Sequence, residues 1–72
     1  MNEFDVIISL ICDAKKEKEY MGEYLEAEKR AEKSGYPKIW SMRSPSKQRI
    51  LDDLRVVRRL TLEIERRMRN EQ

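Results

Sequence analysis

Glu19 with Glu23, and Asp52 with Asp53, are the carboxylate pairs whose spacing could support acid–base chemistry. Residues four apart share a helix face, and two close carboxyls can hold one proton between them. Each pair is embedded in Lys or Arg, however, which is the composition of a solvated face. There is no histidine, so the chain lacks an ordinary general base near neutral pH and any Ser-His or Cys-His arrangement. The same absence removes the Glu-x-x-His motif of di-iron bundles. Cys12 is the single cysteine, which leaves no intrachain disulfide and no thiolate cage for zinc. Gly22 and Gly35 do not make a phosphate-binding loop. The chain is therefore read as a non-enzyme, without metal or cofactor.

The arginines have more functional character. Arg49, Arg55, Arg58, Arg59, Arg66, Arg67 and Arg69 cluster in the C-terminal half, while the N-terminal half mostly uses Lys. Arg55, Arg59, Arg66 and Arg69 share one flank of a helix, with Leu62 between them. Planar guanidinium groups suit carboxylate or phosphate recognition. The plainer reading is ion pairing to the acidic first half, together with Arg59–Glu63 and Glu63–Arg67 pairs along the helix. Tyr36 and Trp40, with Ile39 and Met42, form a second candidate binding cluster. It is either an apolar plug or an anchor for a partner.

Two long amphipathic helices must position these groups. The first is expected over about residues 3–33. Ile7, Ile11, Ala14, Lys18, Met21, Leu25 and Glu28 alternate steps of four and three. Gly35 follows as a helix-ending residue, and Gly22 marks either a close crossing or a plain cost. Val6, Ile7 and Ile8 would also suit a strand, but a lone strand has only another copy to pair with. The second helix is expected over about 45–69, with Ser44 as N-cap, Pro45 as first residue, and Asp52 and Asp53 near its positive end. Ile50, Leu54, Val57, Thr61, Ile64 and Met68 then repeat with coiled-coil spacing. Residues 34–44, holding Pro37 and Trp40, form the tip. A helix-turn-helix is a weak alternative, because Ser41 and Ser44 stand where that motif wants apolar residues.

Seventy-two residues make one domain, and one short of core. A chain this size buries only about 60% of its unfolded surface, so small domains lean on disulfides, metals or association. Association is the support left. Phe4, Val6, Ile7, Ile8, Leu10, Ile11 and Cys12 cover nearly every direction of the first helix, and Tyr20, Tyr24, Ala27 and Ala31 form a second stripe. Such a helix wants neighbours on several sides. The expected architecture is all-α: a helical hairpin that dimerises into a four-helix bundle. Self-association is assigned to Phe4, Ile7, Ile8, Ile11, Leu54, Val57 and Ile64, and Cys12 is read as a small buried hydrophobe.

Charged residues make up 42% of the chain, yet the net charge is +2. Residues 1–36 are net −3 and residues 37–72 net +5, which should help hold antiparallel helices in register. Glu3 and Asp5 stand where a secretory signal needs positive charge, and the Val6–Cys12 stretch is too short for a bilayer. A soluble, cytoplasmic chain is expected. Function is read as protein interaction by a small regulator, inhibitor or adaptor, of the kind phages and mobile elements encode. The alternatives are a nucleic-acid-binding regulator using the Arg-rich helix, and a structural assembly component.

Overall fold

The chain is known from a computed structural model that describes residues 2–34 and 42–71. Within them it is all-α, two helices with no strand: α1 (Glu3–Ser34) and α2 (Lys47–Asn70), packed as an antiparallel hairpin. Phe4–Cys12 is helical, so its β-branched residues do not make a strand. Gly35, Tyr36, Ile39 and Trp40 lie outside the described residues.

The start of α1 is capped from both sides. Asn2 Oδ1 accepts the Asp5 N–H at 3.0 Å, and Asp5 Oδ2 accepts the Asn2 N–H at 3.4 Å. This reciprocal pair satisfies donors that a helix start leaves orphaned. The start of α2 corrects the expected cap. Ser46, not Ser44, is the N-cap, and its hydroxyl oxygen accepts the Arg49 N–H at 3.1 Å. Pro45 belongs to the irregular approach. Ser46 also lies where its own N–H can reach Glu17 of α1, at 2.7 Å, and that tie across the hairpin accounts for the two-residue displacement. Asp52 and Asp53 consequently fall beyond the first turn, and Asp52 accepts a hydrogen bond from Gln48 at 2.8 Å.

The packed sides are rotated from the expected seams. On α1, Ile7, Ala14 and Met21 turn inward as expected, but Ile11, Lys18, Leu25 and Glu28 are exposed. Leu10, Asp13, Glu17, Tyr20 and Tyr24 take their places, so the Tyr20–Ala31 stripe continues the packed side rather than forming a separate one. On α2, Ile50, Val57 and Ile64 turn inward with Asp53 and Leu60, while Leu54, Thr61 and Met68 stay outside. Ion pairs across the helices explain the rotation. Arg49 to Asp13, Arg43 to Glu17 and Arg67 to Glu3 draw the charged flanks together. The opposite flanks are thereby swung out.

What lies between the helices is thin. Ile7 and Ala14 are the buried apolar side chains among the described residues, and α2 buries none. Cys12 is exposed, against expectation, because it points away from α2 on the far side of the α1 wheel. The molecule measures 64 × 18 × 12 Å, one helix thick in its shortest dimension. Neither helix is long and apolar enough to cross a membrane.

Candidate interaction surfaces

Three groups of side chains stand out: a polar clamp, an arginine ridge and an apolar face. The clamp is built around Glu17, which is 2% exposed. Arg43 grips both its oxygens, at 2.6 and 2.9 Å, and the Ser46 N–H adds a third bond. Arg43 also lies over the Tyr20 ring, 4.3 Å from its centroid, and the Tyr20 hydroxyl donates to the Arg43 carbonyl at 2.5 Å. These contacts favour charge on both partners. Arg43, followed by the Ser46 N–H, holds the Glu17 carboxyl down to about 2, and the same pairing raises Arg43. Three hydrogen bonds from the chain itself hold Glu17, so the clamp fastens the hairpin.

A carboxylate pair does exist, but not where sequence spacing alone placed it. Glu19 and Glu23 are both exposed. The close pair is Asp13 with Asp53, one from each helix, brought together by the packing. Arg49 binds both oxygens of Asp13, at 2.6 and 3.0 Å, and lowers its pKa. Asp53 is raised, first by sharing a hydrogen with Asp13, then by burial and by the like charge. Its Oδ2 is buried and has no hydrogen-bond partner among the described residues. The sequence alone does not single out Glu17, because it interrupts an apolar pattern; it pairs Asp53 with Asp52 rather than Asp13, and it assigns Tyr20 to a separate stripe. The signal that could have found them is the step of three or four linking 10, 13, 17, 20 and 24 on α1. No group of three metal-ligating side chains occurs among the described residues.

The arginine ridge is the outer edge of α2. At about 100° per residue, Arg55, Arg59, Leu62, Arg66 and Arg69 project away from α1, and all are exposed. The bridging to α1 is carried by Arg43, Arg49 and Arg67 instead. Arg69 pairs with Glu65 on its own helix, while Arg55, Arg59 and Arg66 make no ion pair among the described residues. The expected Arg59–Glu63 pair is not formed, and Arg67 turns its charge to Glu3 while its Nε bonds the Glu63 carbonyl. Tyr36 and Trp40, the other candidate anchors, fall outside the described residues.

The residues assigned to self-association are divided by the packing. Ile7, Val57 and Ile64 are used inside the hairpin. Phe4 (58% exposed), Ile8, Ile11 and Leu54 (48%) are not. With Met68 they lie on the same side of the hairpin, opposite the Asp13–Arg49 bridge. Phe4 and Ile7 of α1 line a shallow groove there with Thr61, Ile64 and Met68 of α2. Thr61 is compatible with this apolar setting because its hydroxyl donates to the Arg58 carbonyl at 2.9 Å. Compared with protein-family models, curated proteins and solved structures, the chain matches none.

Proposed function

We propose that the chain is a non-enzymatic interaction module that binds another protein through the outer ridge of α2. The supporting observation is that Arg55, Arg59 and Arg66 are left without carboxylate partners around an exposed Leu62, while other arginines do the structural bridging. Guanidinium groups lined up around an exposed leucine offer a partner fixed-geometry donors beside an apolar contact. The complementary surface is acidic, with a shallow apolar recess for Leu62. Planar guanidinium forks give bidentate contacts to carboxylates and fix orientation, and desolvated Arg is a frequent hot spot. Asp52, Glu63 and Glu65 break the positive field along the same helix. That pattern favours a protein partner over a nucleic-acid backbone, which rewards uninterrupted positive charge.

The test is a quadruple variant, Arg55→Gln, Arg59→Gln, Arg66→Gln and Arg69→Gln. Exposed ion pairs are worth about 0–1 kcal/mol each, so circular dichroism should be unchanged. Capture from host lysate, run beside the native chain, should lose one defined protein. If the native chain instead binds duplex DNA or RNA with an affinity that falls steeply with salt, the ridge is a phosphate-binding face and the reading fails.

A further inference from the structure

We propose that the apolar face formed by Phe4, Ile8, Ile11, Leu54 and Met68 is covered by a second copy of this chain, packed face to face so that α1 of each copy lies across α2 of the other. This concerns a different face from the arginine ridge and stands whatever the ridge binds.

The first support is area. A compact monomer of this mass exposes about 4,700 Å², whereas the hairpin exposes 6317 Å². The surplus of about 1,600 Å² per chain is twice the roughly 800 Å² per partner that a standard interface needs. It matches the obligate, core-like class of homodimer. The hairpin's radius of gyration, 17.9 Å, compares with about 11 Å for a compact chain of this length. Two such slabs stacked on their broad faces supply the second layer that a domain core requires.

The second support is where the large apolar side chains lie. Phe4, Ile8 and Ile11 step by four and three along one flank of α1, and Leu54, Thr61 and Met68 step by seven along one flank of α2. In antiparallel helices these flanks open to the same side, and the groove shared by Phe4, Ile7, Thr61 and Met68 lies there. The other side carries the Asp13–Arg49 bridge. One face therefore carries an internal ion pair, and the other exposes large apolar side chains from both helices, with Glu65 and Arg69 at the rim of its groove.

Charge selects the arrangement. Residues 3–34 carry nine acids and six bases, and residues 47–70 carry four acids and eight bases, net −3 against +4. A two-fold axis parallel to the helices sets α1 of one copy over α2 of the other, acidic beside basic, with all neighbours antiparallel. An axis perpendicular to the helices would set α1 over α1 and α2 over α2, like over like. The first arrangement is the complementary one. It also leaves the ridge at the lateral edges of the bundle, open on both copies.

The experiment is analytical ultracentrifugation of the full chain at micromolar concentration, with three sets of molecules. The native chain should sediment at twice its 8.7 kDa mass, with a melting temperature that rises with concentration. Ile8→Glu with Leu54→Glu should shift it to monomer or unfold it. Val56→Glu, an exposed apolar residue on the opposite side of α2, should leave the dimer intact. A native chain that is monomeric throughout and melts cooperatively, independent of concentration, overturns the proposal. So does a dimer that survives the Ile8/Leu54 pair, or one that dissociates with Val56→Glu.

Discussion

The Glu17 carboxylate of α1 accepts the Ser46 backbone N–H at 2.7 Å, so the residue that caps α2 is itself held by α1. Helix initiation and hairpin closure share one group. Arg43, the third member, joins them from the segment just before the cap.

This arrangement sets an acid limb. Glu17 is lowered from 4.5 to about 2 by Arg43 and Ser46. A depressed carboxyl contributes stability that is fully present above the unfolded value and lost as pH falls toward the folded one. Stability should therefore decline between about pH 4.5 and pH 2, with Asp13 adding to the same limb because Arg49 lowers it too. Glu17→Gln should melt lower at pH 7 and show a flatter decline across that window. Thermal melts at several pH values read both, and an unchanged slope in the variant would remove Glu17 from the account.

Asp53 has the opposite sign. Its carboxyl is raised beside Asp13, so ionising it at neutral pH works against the fold. Asp53→Asn keeps the shape, removes a like charge and offers Asp13 a donor. Its melting temperature should exceed the native value at pH 7, and the gain should vanish well below pH 3.8, the ordinary value for this acid. A lower melting temperature at pH 7 would mean that Arg49 needs both carboxylates.

Gly22 and Ser46 should respond in opposite directions. A Cβ added at Gly22 meets nothing within 4 Å, so no close crossing within the hairpin requires glycine there. Gly22→Ala should stabilise by up to about 1 kcal/mol. Ser46→Ala removes the bond to the Arg49 N–H and should cost about 1 kcal/mol. Chemical denaturation measures both. A destabilised Gly22→Ala would indicate that another chain's backbone approaches at that point.

The helices were legible because their signals are local. Apolar steps of three and four run through Ile7, Ala14 and Met21, and through Ile50, Val57 and Ile64, all of which turn inward. Their rotation was not legible. Leu54 and Asp53 are neighbours on one helix, and hydrophobicity ranks Leu54 for the interior. The bridges from Asp13, Glu17 and Glu3 decide otherwise, and such bridges depend on residues 26 to 64 positions apart in sequence. The cap moved from Ser44 to Ser46 for the same reason, since either serine suits the local pattern and only Ser46 meets Glu17. That Arg55, Arg59, Arg66 and Arg69 share a flank follows from helical spacing alone, because all four lie within α2.

A slab 12 Å thick places every peptide group within a side chain of water. Local opening in such a body needs little disruption, since few buried contacts must be broken first. A partner that covered a broad face would lower the population of the opened states that must release it, by mass action. If the proposed contacts form, turnover of the chain would be coupled to its occupancy, because copies without a neighbour would be the ones open to a protease.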